Sequence, residues 1–413
     1  MPAKRRIVLF DWVSGGHHPL YLRRFAEALE PYFRVVLAAP EESVRELADL
    51  PVEAISLGDP SPTPPPMRSA SWALRGIAAT EVARLASIAA STRADHIVHV
   101  YADAVLPRLL TSPRLPAPLT IVLFYPRAHY PSLYRTELSA RDRVLAGAKE
   151  RFVDLWRRRS DSNAVLSLDE EAAKRWARKR GVPAHWLPEP PVTTLSNDET
   201  PDWTSRSGCI VYGALAERKG IDLLSQAVTI ATGPLHVTLA GWTSPEFRSR
   251  LERYASAMRE SGAKVDLRDR SHTEVEGLRV LAASKCAVLP YPRHDGMSRV
   301  LVEAAAVGTP VIVHDRGLLG HLVRRHRLGI AVDCGDPWGL RAAILDLTDD
   351  ASRTNPYGEA LARFSARFSR PRFQQALLEA FAEAPSRVSH PRLSQGRRGF
   401  MRLRSPSSGT RLR

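Results

Sequence analysis

Residues 289–313 read LPYPRHDGMSRVLVEAAAVGTPVIV. An apolar run closes at Pro290, and a polar loop then carries Asp295 and Gly296. An alanine-rich stretch opens at Ser298 and stops at Gly308, and a β-branched run resumes at Val311. Strand, loop, helix and strand in this order make one βαβ step of a parallel sheet. Ser298 is expected as the N-cap and Gly308 as the C-terminal stop. The N–H groups of such a helix start face the carboxyl edge of the sheet and favour an anion such as a diphosphate. Glu303 lies five residues inside, about 7.5 Å along the axis at ~1.5 Å per residue, within reach of the ribose of a nucleotide held there. Asp295, before the helix, is placed to accept from the hydroxyls of an attached sugar. The same residues also read as an ordinary helix carrying an incidental acid.

The rhythm extends in both directions. Strands are expected at 208–212, 236–240, 264–267, 286–290, 310–313 and 329–332, with helices at 221–230, 245–260, 274–283, 298–307 and 337–347. Upstream, strands are expected at 6–12, 34–39, 52–57, 96–100, 120–124 and 164–168, with helices at 19–30 and 71–91. Proline-rich 60–67 reads as a loop. Three prolines at 188–191, followed by Thr, Ser, Asn and Asp, mark a break between the two halves. The expected architecture is α/β, with two Rossmann-like doubly wound domains, 4–190 and 206–355, facing a cleft. Ligands of open α/β sheets bind at such carboxyl edges. A helical stretch at 358–383, broken or kinked by Pro371, falls in a last segment, 356–384. Residues 385–413 read as a disordered basic tail.

The chain has 413 residues and a formal net charge of +15. Eight arginines and no acid fall between Ser386 and Arg413, leaving +7 for the rest. Such a tail attracts polyanions in general. Cys209, Cys286 and Cys334 are too few and too scattered for a disulfide framework or a zinc cluster, and read as buried small hydrophobes. Asp11 interrupts the N-terminal apolar run, which argues against a signal peptide. No run approaches 18 apolar residues. These features read as cytoplasmic, with the inner membrane face as an alternative station.

Asp295-x7-Glu303 followed by Ala-Ala-Ala-Val-Gly-Thr-Pro-Val-Ile resembles the Glu-x7-Glu motif of the retaining GT-B glycosyltransferases of family 4. Tyr212-Gly-Ala-Leu-Ala-Glu-Arg-Lys219-Gly220 resembles the G-R-L-x-x-x-K-G signature of that family, and Leu239-Ala-Gly241 its strand end. The likeness runs over about 6–348. It implies a GT-B enzyme that transfers a hexose from a nucleotide-diphospho-sugar to an acceptor with retention of configuration. The second domain would hold the donor and the first the acceptor. Lys219 would meet the diphosphate, Glu303 the ribose and Asp295 the sugar, while Gly296, Met297 and Ser298 offer backbone amides. A fixed ammonium with helix amides stabilises a departing diphosphate, so neither metal nor cofactor is expected. Two departures stand out. Asp295 is one methylene shorter than the family's Glu, which bears on donor choice. Ala214 stands where the family has Arg; Arg218 is the candidate replacement, and a weakened site the alternative.

Gly15 and Gly16 follow the first strand, where glycine lets a backbone approach phosphates, and His17 and His18 come next. His129, after the strand at 120–124, resembles the family's cleft histidine in position and would orient donor or acceptor. Asp315 to Gly320 reads as a loop in which Arg316 is placed to meet phosphate or acceptor. The stretch 141–159 sets seven cations beside an apolar stripe, and 174–180 adds five more. This fits a peripheral membrane contact as well as packing on the domain's own sheet. Rival readings are a GT-B nucleotide-sugar epimerase and a non-catalytic polyanion binder. No nucleic-acid partner is expected.

Overall fold

The β-branched runs of the chain form parallel strands, buried except at the sheet edges, and the amphipathic stretches between them cover both faces of two sheets. The computed structural model describes residues 4–13, 18–58, 72–103, 105–158, 164–178, 183–191, 193–294, 296–348 and 354–382. The Pro-rich 60–67 and the basic tail 385–413 lie outside them.

The first lobe carries β1 (Arg6–Phe10), α1 (His18–Leu29), β2 (Arg34–Ala39), α2 (Glu41–Glu46), β3 (Glu53–Ser56), α3 (Trp72–Ser91) and β4 (His96–His99). It continues with α4 (Leu106–Thr111), β5 (Leu119–Leu123), α5 (Tyr130–Tyr134), α6 (Ala140–Arg157), β6 (Ala164–Ser167), α7 (Glu170–Ala177) and β7 (Ala184–Trp186). The strands lie in the order β3-β2-β1-β4-β5-β6-β7, every neighbouring pair parallel.

The second lobe begins with β8 (Cys209–Tyr212), α8 (Ile221–Thr229), β9 (His236–Ala240), α9 (Pro245–Glu260), β10 (Lys264–Arg268) and α10 (Glu274–Ala282). It continues with β11 (Cys286–Leu289), α11 (Arg299–Ala306), β12 (Val311–His314), α12 (Gly317–His326), β13 (Gly329–Val332) and α13 (Pro337–Thr348). Its order is β10-β9-β8-β11-β12-β13, again all parallel. In each sheet the strand order reverses at one place, between β1 and β4 and between β8 and β11. A crevice opens at such a switch point. The loops after β8 and β11 therefore face one another across it, and these are the loops that carry Lys219 and the 290–298 segment.

Two elements differ from the sequence expectation. β7 adds a seventh strand just before the proline-rich break, where no strand was expected. Asp315 to Gly320 is not a loop: Arg316 is the N-cap position, and α12 runs on from Gly317 to His326. Glycines at 317 and 320 hid a helical face of Leu318, Leu319, Leu322 and Val323, all buried. The 358–383 stretch is broken just before Pro371, as expected: α14 (Gly358–Ser365) ends, and Pro371 sits in the first turn of a separate α15 (Arg370–Ala382), a place where a missing N–H costs nothing. α15 returns to the first lobe: Phe373 packs edge-on against Phe25 of α1 at 5.3 Å, and Gln374 donates to the Ala28 carbonyl at 2.8 Å.

All three cysteines are buried and unpaired. Among the described residues no helix is long and apolar enough to cross a membrane.

Candidate active site

The chain leaves β11 at Leu289, crosses 290–297 and enters α11 at Ser298. Ser298 holds the extended backbone of an N-cap (φ −121°, ψ 125°), but its side chain makes no capping hydrogen bond. The first N–H groups of α11 thus have no intrahelical acceptor. At the other end Gly308, at φ +66°, stops the helix. Buried Arg206 holds that stop. It donates to the carbonyls of Val307 at 3.0 Å and Gly308 at 3.2 Å and to Thr309 Oγ1 at 3.2 Å. A cation there satisfies orphan carbonyls and complements the negative helix end. Arg206→Ala is expected to lower stability by about 1–3 kcal/mol, the cost of leaving such acceptors unpaired. A urea midpoint shift with unchanged slope would register it.

The second loop begins after β8. Gly213 and Gly241 bring two crossing loops into backbone contact: a Cβ on Gly241, which has φ +145°, would lie 1.9 Å from the Gly213 carbonyl oxygen. Only glycine is tolerated there. The turn Glu217–Lys219 then delivers Lys219 inward. Lys219 is 4% exposed, and Nζ donates to the Tyr212 carbonyl and to Tyr291 Oη, both at 2.9 Å. It also lies 4.8 Å from the Tyr291 ring centroid. Tyr291 belongs to the β11 loop, so one ammonium joins both loops of the switch point. Among the described residues no carboxylate pairs with it.

Glu303, 5% exposed, projects from α11, and its Oε1 accepts from Arg299 Nε at 2.6 Å. Arg299 also lies 3.5 Å from Glu274 of α10. Burial raises the Glu303 carboxyl above its ordinary range, and Arg299 only partly offsets that. Tyr212 connects the two candidates. Its carbonyl accepts from Lys219, and its phenol is pushed up to about 12, by burial first and then by Glu303. Lys219 and Glu303 are therefore both neighbours of Tyr212, and Lys219 also touches the loop that leads through Met297 and Ser298 into α11.

Gly296 and Met297 meet the first lobe. A Cβ on Gly296 would lie 3.1 Å from the Tyr125 ring, and Met297 packs against the apolar residues of both lobes. Arg218 is exposed, on the turn that buries its neighbour Lys219. Arg316 is exposed too, with a guanidinium nitrogen 3.5 Å from the Pro292 carbonyl oxygen. His129 is buried: Nε2 lies 2.9 Å from Asp169 Oδ2, and the ring packs on Tyr130 and Tyr134. Tyr134 donates to the other Asp169 oxygen at 2.8 Å, and Asp169 caps α7. His129 thereby anchors α5 to α7. Asp295, Gly15, Gly16 and His17 lie outside the described residues.

Several polar groups near the crevice escaped the sequence reading. Asp11 is fully buried and lies 2.7 Å from His18 Nδ1. Asp103 accepts from the backbone N–H groups of Phe124 and Tyr125 and pairs with Lys149 of α6. His99 is buried, among the described residues neither ring nitrogen has a hydrogen-bond partner, and burial pushes it down to about 4. Glu189 receives Tyr21 Oη and Arg24 Nη1 from α1. Only Arg299 left a trace in the sequence, four residues before Glu303 and so on the same helical face.

Residues 206–350 match the family Glycosyl transferases group 1. The D-inositol 3-phosphate glycosyltransferase of Corynebacterium kroppenstedtii is 28% identical over 237 residues, 56% of this chain and 48% of that protein. The enzyme of the same name from Paenarthrobacter aurescens is 34% identical over 93 residues, 22% of this chain and 23% of that protein. The matched stretches thus span about a quarter to a half of these curated relatives. Among solved structures, the fold is similar to Anabaena HepE in complex with UDP (TM-score 0.63, 16% identity, covering 92% of this chain and 99% of that one). It is similar also to sucrose-phosphate synthase from Thermosynechococcus elongatus (TM-score 0.65, 18% identity, again 92% and 99%). The chain thus shares the two-lobed GT-B fold of these structures, and the family match lies on its second lobe.

Proposed function

We propose that this protein transfers a hexose from a nucleoside-diphospho-sugar to an acceptor, with retention of configuration at the anomeric carbon. One observation carries the reading: Lys219 is a buried ammonium whose described partners are all neutral oxygens and one ring. Buried charges are ordinarily paired. A diphosphate seated between Lys219 and the first turn of α11 supplies the missing anion, and Glu303 then lies on the ribose side. Cleavage of the anomeric C–O bond leaves charge on the diphosphate, where a preorganised ammonium and helix amides stabilise it. Asp295 is assigned to the sugar hydroxyls by its place before α11. No substrate contact is assigned to His129 or Arg218. HepE in complex with UDP and glucose, of similar fold, supports the class of donor.

The test is a panel of UDP-, GDP- and ADP-sugars read by nucleotide release, with and without EDTA. One nucleotide class is expected to bind, with turnover on an acceptor undiminished by EDTA and the product anomer matching the donor by NMR. Absence of any nucleoside diphosphate binding would overturn the reading.

A further inference from the structure

α6 turns an unusual face to solvent. Among the described residues eight large hydrophobics are exposed, and four lie on α5 and α6: Leu133 (44%), Val144 (71%), Leu145 (43%) and Leu155 (49%). At 3.6 residues per turn, Arg141, Val144, Leu145, Arg151, Leu155 and Arg158 share an arc of about 140° on α6. No acid falls within that arc. Ala146 and Val153 point the opposite way and Trp156 borders the arc beside Leu145; all three are buried, so the packing that the sheet needs is met from outside the arc. Arg141, Arg143, Arg151 and Arg158 are exposed, and no described acid pairs with them. The cations of α7 differ, since Lys174 is paired with Glu170 and Glu171, and Arg175 with Glu150.

The position of this face matters as much as its chemistry. Lys149, in the middle of α6, reaches Asp103 and the Tyr125 carbonyl at the carboxyl edge of the first sheet. The Tyr125 ring lies against Gly296 of the other lobe. The helix therefore flanks the mouth of the crevice.

We propose that the outward face of α6 docks on an anionic lipid surface. Val144, Leu145 and Leu155 enter the headgroup boundary, and the interleaved arginines meet lipid phosphates. Interleaved cations and apolar side chains without acids match such a surface. A second copy of this chain would place arginines against arginines. Docking in this way rests on no donor chemistry, although it would bring the acceptor side of the proposed transferase to the bilayer.

The test uses the full chain and vesicles of phosphatidylcholine, with or without about a third phosphatidylglycerol. Flotation is expected with the anionic vesicles. Arg141→Glu with Arg151→Glu is expected to weaken it by at least about tenfold, from a factor of roughly five per cation. Because the arginine-rich C-terminal stretch can bind anionic vesicles by charge alone, a second readout fixes the site. The indole introduced by Val144→Trp should be quenched by brominated lipid, and Val144→Asp with Leu155→Asp should weaken flotation with all arginines in place. Flotation insensitive to the α6 variants, no quenching in the Val144→Trp variant, or concentration-dependent self-association abolished by Val144→Asp would overturn the proposal. Nucleotide-induced thermal stabilisation, measured on the same variants, should be unchanged. Its absence in the wild-type chain would count against the donor reading while leaving the docking result intact.

Discussion

Lys219→Ala is expected to lower sugar transfer about 10²–10³-fold, the usual loss when one preorganised donor is removed from developing negative charge. The effect should fall on kcat as well as on nucleotide affinity. The ammonium faces the diphosphate in the ground state, and charge on that diphosphate grows as the bond breaks. Lys219→Met separates charge from packing, because it keeps most of the stem and removes only the ammonium. The Tyr212 carbonyl and Tyr291 hydroxyl then lose a shared donor, at about 1–3 kcal/mol of folding stability. That cost is visible in denaturation and distinct from the kinetic loss. A Met variant that folds and turns over at the wild-type rate would remove Lys219 from the site. Tyr291→Phe is the graded companion. It deletes one acceptor of Nζ and keeps the ring beneath it, so a loss well short of that in Lys219→Met is expected, read as kcat/KM on the same donor.

The fold was legible because the apolar runs are short, β-branched and separated by helical spacing throughout. Glu303 was read from its place in the βαβ step and Lys219 from the likeness of 212–220 to the family signature; both prove buried beside the strand-order reversal, where topology brings distant segments together. What was not legible depended on partners far away in the chain. His129 could be placed after a strand, yet its inward orientation depends on Asp169, forty residues on. Glu189 joins Tyr21 and Arg24 across 168 and 165 residues, a separation that carries no periodic signal. Arg206 was invisible for the same reason, since its guanidinium serves carbonyls about a hundred residues away. α12 was hidden by local chemistry instead, because Gly317 and Gly320 mimic a turn while the leucines between and after them supply the helical face.

Glu303→Gln is expected to separate stability from binding. In the folded protein burial raises the Glu303 carboxyl, in spite of Arg299. An acid raised on folding contributes stability that is fully present below its unfolded value and is lost as pH rises through its folded value. At pH 7 the buried carboxylate is therefore a cost to the free protein. Gln has the shape of the neutral acid, and Arg299 keeps Glu274 within 3.5 Å. The free variant should melt at or above the wild-type temperature at pH 7. This difference should shrink as pH falls through the raised carboxyl value, where the wild type becomes neutral as well. Binding should move the other way. A ribose diol gives an ionised carboxylate charge-assisted hydrogen bonds of about 1.5–3 kcal/mol each, so nucleotide affinity should fall on the order of 10²-fold or more, and the thermal shift induced by nucleotide should vanish. Calorimetry with nucleoside diphosphate and a pH series of melting curves check both halves. A variant that melts lower yet binds nucleotide normally would make Glu303 a structural partner of Arg299 and remove it from the donor site.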